Sequence, residues 1–557
     1  MPYDLIDTYV PPASGPVLKL GASLLEKSMI GWAVEKQILK AMGFEAIDHA
    51  VAHEPPTYFL QHKPRQNKVS ALSLEDLAQQ AVPPEQHPFR YWRVVDYAKA
   101  YRDKTITPLV VAERVIDAIK RSDDSATPLR IMINTNADDI LAQARASSER
   151  FEEGVPLGLF DGVPVAVKDE MDQMGYPTTV GTSFLGKHNQ EADAFAVRCF
   201  RDAGALLIGK TNMHEIGIGV TGMNPHFGHA RNPFNPNCIT GGSSSGSAAS
   251  VAAGLCPVAI GADAGGSIRI PSGLCGVFGL KPTFGSISDA GAFPLSWTLD
   301  QIGPIAATIQ DTALAYALMA GKGPAGKLGQ SINLNGLDNL DLDGIKVGIF
   351  QGWFEHAEPE IVQACRKGIE SLVSRGASVV PIEIPDLNLM RAAHGIIVAS
   401  EMAAALDAQY PEHQRAFGLD VRINLAISRR FRGTQYIKAQ QIRTRALNEF
   451  NKAFEKVDVI ATPTTACVAV PIEENAIPDG ASDLTLLFKL MRYMFVGNLI
   501  GVPALSMPVG YNPSGIPIGL QVMGRPYEEN LLLRLGGAIE QDIMRAKPSV
   551  FFDLLNP

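Results

Sequence analysis

The chain runs to 557 residues, 46% hydrophobic and 19% charged, the composition of a globular protein long enough to bury a large core. A formal net charge of −9 argues against nucleic acid as the main partner, because phosphate binding needs clustered Lys and Arg. Six cysteines without C-x-x-C spacing argue against a disulfide framework and against a zinc site.

In chain order, the opening "MPYDLIDTYV" lacks the basic-then-apolar start of a secretory signal. No run of about 18 apolar residues follows anywhere, so neither secretion nor a membrane-spanning helix is expected and the location reads as cytoplasmic. Residues 1–88 differ from the rest and read as a helical extension or cap. In "LLEKSMIGWAVEKQILKAM", Ile30, Val34, Ile38 and Met42 recur every fourth residue between Glu26, Lys27, Glu35, Lys36 and Lys40. That spacing predicts an amphipathic helix. It either packs on the main domain or forms a surface that touches a membrane or shapes a substrate entrance. "EPPTYFLQHKPRQNKVS" (54–70) reads as a linker.

From Phe89 to the end the pattern is α/β. Thr107-Pro108 predicts a helix start, Thr as cap and Pro in the first turn. "GVPVAVKD", "ALLIGK", "GIKVGIF" and "VDVIATPTT" are apolar runs of strand length separated by helical stretches, which predicts a large, mostly parallel, buried sheet. Residues 321–343 read as a surface connection. "ALSMPVGYNPSGIPIGLQVMG" predicts a hairpin at one end of the sheet.

The chemistry concentrates in "GGSSSGS" (241–247), at the start of a small-residue helix, and in a second Gly-Gly-Ser ending at Ser267. Gly242-Ser243-Ser244-Ser245-Gly246 fits the G-x-S-x-G elbow, but the last histidine is His413, too early for that fold's base. Gly217 to Gly222 fits G-x-G-x-x-G without a strand before it or a helix after it, so no dinucleotide site is expected. Gly217 and Gly219 read instead as a pocket wall. Lys168 closes the strand of Val163, Val165 and Val167. It either pairs with neighbouring Asp169 or is a desolvated base, since a buried lysine gives up its charge more easily. A free amine takes a proton from serine without any histidine. In Asp263-Ala264-Gly265-Gly266-Ser267, glycines let backbone N–H groups converge on one oxyanion next to a nucleophile.

The set "GVPVAVKD", "GKTNMHEIGIG", "TGGSSSGSAASVAAGL", "GADAGGSIRIPSGLCGVFGLKPT" and "PIGLQVMGRP" resembles the amidase signature family from about Phe89 to the C-terminus. "FRYWRVVDYAKAYRDKTITPL", "NMHEIGIGVTG" and "MRYMFVGNLIGVPALSMPVGY" are most similar to its plant-type fatty acid amide hydrolase branch. The resemblance implies an α/β amidase signature fold: a large, mixed, mostly parallel twisted sheet covered by helices on both faces, spanning 89–557, with the extension at 1–88. It implies a Ser-cisSer-Lys triad, with Lys168 as base, Ser243 as bridge after a cis peptide bond, and Ser267 as acyl-forming nucleophile. The N–H groups of Ala264, Gly265, Gly266 and Ser267 would hold the oxyanion. Asp263 and Arg269 would support the scaffold, and Ser244, Ser245 and Ser247 would serve structure, for instance by capping the helix.

No cofactor or metal is implied. The implied substrate is a carboxylic amide, lipid-like and long-chained, such as an N-acylethanolamine. Met491, Met494 and Phe495, with Phe488, are candidates for the wall of an acyl pocket. The implied partners are a second copy of the chain and, through the N-terminal helix, a membrane surface. Alternatives are an amidase of small or aryl amides, the amidase subunit of a glutaminyl-tRNA amidotransferase, and an inactive ligand-binding relative.

Overall fold

The structure is a computed structural model. It describes residues 3–7, 9–26, 31–62, 73–80, 89–320, 334–473, 476 and 479–556. Ile30, the side chain of Val34, positions 63–70 of the expected linker, positions 321–333 of the expected connection and the division at 88 lie outside the described residues.

Eleven strands form one sheet: β1 (Met132–Asn134), β2 (Pro164–Lys168), β3 (Leu206–Thr211), β4 (Val258–Asp263), β5 (Phe278–Lys281), β6 (Gln301–Ala306), β7 (Lys346–Ile349), β8 (Ser378–Pro381), β9 (Val459–Pro463), β10 (Ala504–Tyr511) and β11 (Pro517–Gly524). Their order is β8-β7-β9-β11-β10-β5-β6-β4-β2-β3-β1. β2 runs parallel to β3 and β4, and β7 runs parallel to β8 and β9. The central pairs from β9 through β11, β10, β5 and β6 to β4 are antiparallel, as is β1 with β3. The sheet is thus mixed, with helices packed on it, in the α/β class. The expected hairpin exists as β10 and β11, turned by Asn512, whose Oδ1 accepts from Ser514 N and Ile516 N. It lies in the middle of the sheet, not at one end: β9 covers one flank and β5 the other. Every residue of β2, β4 and β11 is buried, which explains why their sequences are apolar apart from Lys168, Asp263 and Gln521, each of which finds a buried hydrogen-bond partner.

The helices that bear on function are α1 (Gly15–Leu25), α2 (Gly31–Ala41), α3 (Glu45–His49), α4 (Pro108–Asp123), α5 (Ser245–Ala252), α6 (Arg269–Leu274), α7 (Leu387–Ala405), α8 (Leu419–Ser428), α9 (Gly433–Phe454), α10 (Leu484–Met491) and α11 (Phe495–Leu499). α4 starts as the sequence predicts, with Thr107 Oγ1 accepting from Val110 N at 3.3 Å and Pro108 in the first turn. The N-terminal segment is woven into the remainder. Ala13–Ser14 pairs antiparallel with Ala481–Ser482, and Leu18 and Ala22 of α1 pack against Leu419. Leu5, Phe44 and Ile47 belong to the same apolar cluster as Met390, Ile396, Ile442 and Tyr493. Glu26 accepts both Nε and Nη2 of Arg422 at 2.8 Å, a bidentate tie between the end of α1 and α8.

Candidate active site

Strand β2 carries Lys168 to its buried end, where the side chain is 1% exposed. Its Nζ donates to Ser243 Oγ at 2.8 Å and to Ala262 O at 3.3 Å. A third oxygen, Glu170 Oε2, lies 3.1 Å from the same nitrogen. Asp169, the alternative partner from sequence, is engaged elsewhere. It pairs with Lys210 Nζ at 3.3 Å and accepts from Gly181 N and Thr179 Oγ1. Of the two readings of Lys168, the ion pair with Asp169 therefore falls.

The two Gly-Gly-Ser elements meet at this nitrogen. The Gly242–Ser243 peptide is cis. Gly242 N donates to Val220 O, His214 N to Ser243 O, and Ser244 N to Ser267 O at 3.2 Å, so each element anchors the other. The other serines do not cap α5. Ser244 Oγ donates to Ala262 O, Ser245 Oγ to Asn212 O and Ser247 Oγ to Ile260 O, each 3.1–3.2 Å, tying the helix to β4 and to the turn after β3. Runs of small hydroxyl residues thus let α5 approach the sheet closely while every buried hydroxyl keeps an acceptor. Among the described residues no hydrogen bond joins the Ser243 and Ser267 hydroxyls.

The loop from Asp263 to Ser267 is set by a buried ion pair. Burial would raise the Asp263 carboxyl, but the Arg269 guanidinium, at 2.9 and 3.0 Å, overrides it and holds the group well below the usual carboxylate range. Asp263 Oδ1 also accepts Gly266 N at 2.6 Å, and Oδ2 accepts Ile268 N. The Gly266 N–H is committed to this carboxylate, which narrows the expected oxyanion donors to Ala264, Gly265 and Ser267. Asn498 Nδ2 donates to Asp263 O at 2.6 Å, and Arg269 also reaches Asn498 and Gln521. On the far side, His394 Nε2 donates to Ala264 O at 2.8 Å; burial pushes its pKa down to about 4, so the ring is neutral near pH 7. That carbonyl shares one peptide group with Gly265 N–H, so His394 fixes the plane of a candidate oxyanion donor.

Ala264, Gly265 and Ser267 face a cavity of about 370 Å³, a size typical of small-molecule sites. Gly217 and Gly219 line it as expected, and a side chain at Gly219 would overlap the His214 ring. Met491, Phe495 and Phe488 line it too. Met494 does not: it is fully buried and packs beneath Gly266, where a Cβ would stand 2.6 Å from its Cγ. The remaining wall comes from Leu18, Gly21 and Leu25 of α1, from Ile38 and Met42, and from Ile423 and Ile427 of α8. Ile38 and Met42 of the amphipathic stretch therefore face this cavity. Polar side chains interrupt the wall: His214 Nε2 meets Asp420 Oδ2 at 2.8 Å, and Thr221, Arg391, Asn424 and Asp483 line the cavity as well.

Sequence reasoning gave no role to Glu170, His394, Asn498 or Gln521. Glu170 alone had a visible signal, a second acid directly after Lys168-Asp169. The others reach the site from more than a hundred residues away.

The family model "Amidase" matches residues 113–533. A fatty acid amide hydrolase of Oryza sativa subsp. indica is 38% identical over 580 residues, covering 98% of this chain and 95% of that protein. A glutamyl-tRNA(Gln) amidotransferase subunit from Chloroflexus aurantiacus (strain ATCC 29366 / DSM 635 / J-10-fl) is 34% identical over 463 residues, covering 78% of this chain and 93% of that protein. Among solved structures, a bacterial aryl acylamidase of the amidase signature enzymes superposes with a TM-score of 0.74 at 26% identity, covering 82% of this chain and 97% of that one.

Proposed function

The chain belongs to the amidase signature family and is an amide-hydrolysing enzyme, and from that premise we propose that it cleaves long-chain fatty acyl amides through an acyl-enzyme on Ser267. Lys168, as free amine, takes the Ser243 hydroxyl proton while Ser243 takes that of Ser267. Ser267 Oγ bonds to the amide carbon, and the N–H groups of Ala264, Gly265 and Ser267 hold the resulting oxyanion. Collapse breaks the C–N bond, and the relay returns the proton to the leaving amine. Water then releases the acid by the same steps. The Ser243 and Ser267 hydroxyls close to hydrogen-bond contact once substrate fills the site, as catalytic contacts commonly tighten on binding.

The observation that carries the chemistry is the buried 2.8 Å contact of Lys168 Nζ with Ser243 Oγ, beside a Ser267 that opens onto the cavity. The acyl-chain reading is supported by α1, α2 and the residues between α2 and α3, which turn the cavity into an apolar enclosure. We keep 1–88 as the unit that supplies this wall and 89–557 as the catalytic unit, with a homodimer and a membrane contact of the N-terminal helices as parts of the same reading. Hydrolysis rates across ethanolamides of two to eighteen carbons test the substrate class. A rise in kcat/KM with chain length is expected, and a preference for acetyl amides would refute it. Hydrolysis by the purified single chain without tRNA separates this reading from that of an amidotransferase component.

A further inference from the structure

We propose that Glu170 is a positioning residue for Lys168: its carboxyl group turns the Lys168 amine toward Ser243 and sets the pH at which that amine becomes free base. The inference rests on Lys168 being the base. Three oxygens surround Nζ: Ser243 Oγ at 2.8 Å, Ala262 O at 3.3 Å and Glu170 Oε2 at 3.1 Å. An ammonium meets them with three N–H groups. A free amine has two N–H groups and one lone pair. The Ala262 carbonyl and a Glu170 carboxylate can only accept, so both N–H groups turn to them. The lone pair is then left facing the Ser243 hydroxyl, the orientation that proton removal needs.

The surroundings single out Glu170 as the charge that matters. Asp169, on the same loop, is matched by Lys210 of β3. Asp300, before β6, accepts Leu295 N and Ser296 N, and its carboxyl is raised by burial and by Glu170. Glu170 itself is 6% exposed; burial raises its carboxyl above the usual carboxylate range, and the Lys168 ammonium opposes that rise only in part. Gly217 closes over the pair. A Cβ there would stand 3.4 Å from Glu170 Oε2 and 3.6 Å from Ser243 Oγ, ordinary contact distances, so this residue borders both groups.

The test is the pH dependence of kcat/KM. Glu170→Gln keeps the shape and an acceptor oxygen but removes the charge, so the free amine forms more readily. The acidic limb should move down by about one pH unit or more, the effect of an adjacent opposite charge. Glu170→Asp keeps the charge but withdraws the oxygen, so the limb should stay and the plateau should fall severalfold. A Glu170→Gln limb coinciding with that of the unaltered enzyme, or moved upward, overturns the electrostatic role. An unchanged plateau in Glu170→Asp overturns the orienting role, and is read even if the Gln variant fails to fold. Lys168→Ala separates the premise from the inference: if it retains activity the base assignment is wrong, whereas an inactive Lys168→Ala beside an unshifted Glu170→Gln removes Glu170 alone.

Discussion

Around Lys168, Ser243 and Asp263 nearly every buried polar atom has a directed partner, at 2.6–3.3 Å, supplied by β2, β4, α5, α6 and α11. The cavity wall a few residues away is mostly unlike this: the apolar side chains of Leu18, Leu25, Ile38, Met42 and Ile427 line it together, from elements far apart in sequence. The first region tolerates almost no change, because a buried donor or acceptor that loses its partner costs its full desolvation. The second tolerates change in shape, because apolar packing is non-directional and volume-conserving swaps are cheap. On the proposed reading, chemistry and substrate length should therefore be separable by mutation.

The sharpest break is Ser267→Ala, which should cut kcat by about 10⁴-fold or more while urea unfolding and circular dichroism stay unchanged. Next, Lys168→Ala should lose about 10²–10⁴-fold at neutral pH, with some recovery in alkali as hydroxide replaces the base. Asp263→Asn leaves Arg269, 0% exposed, without its counter-charge. Its unfolding free energy in urea should drop by about 3–5 kcal/mol, the cost of breaking a buried pair.

The wall should respond differently. A side chain at Gly21, on α1 and facing the cavity, meets nothing within 4 Å. Gly21→Leu should raise KM for long-chain amides about tenfold, roughly 1.4 kcal/mol of lost binding, and leave short-chain amides unaffected. The same change should raise stability by about 0.5–1 kcal/mol, since glycine weakens a helix interior. Equal losses on short and long substrates would show that the two regions are not separable. The smallest effect concerns Glu54, which ties the N-terminal segment to α9 through Arg445 at 2.7 Å. The hydrogen bond from Arg445 lowers its pKa to about 2. Its stabilisation is present above the ordinary carboxylate range and is lost as pH falls toward 2. Arg445→Ala should cost less than about 1 kcal/mol at pH 7 and less again at pH 2, where the Arg445 bond to Val51 O remains, read from thermal midpoints.

The same contrast governs what the sequence discloses. Lys168, Ser243 and Ser267 stand in short motifs whose residue types are dictated by close backbone approach, so the proposed reacting centre is legible. The commitment of Gly266 N–H to Asp263 is not, because a Gly-Gly pair signals freedom of the backbone without saying which N–H turns where. Met494 was misplaced for a related reason: in "MRYMFVGNLIG" apolar residues occupy every side of a buried turn, and periodicity cannot tell the cavity from the core beneath Gly266. The β10–β11 hairpin was legible as a hairpin, but strand order depends on where distant chain segments insert. The wall from α1 and α2 was legible only as an amphipathic pattern, since Ile38 and Met42 share the cavity with Ile423 and Ile427, nearly four hundred residues later.

The account stands on Ser267 as the group that Lys168 activates through Ser243. Peptide mass spectrometry after treatment with a long-chain alkyl fluorophosphonate tests this most directly. The expected result is a single adduct on Ser267, forming at least about a hundredfold more slowly in Lys168→Ala. An adduct on Ser243, or labelling of Ser267 at an unchanged rate without the lysine, would contradict it.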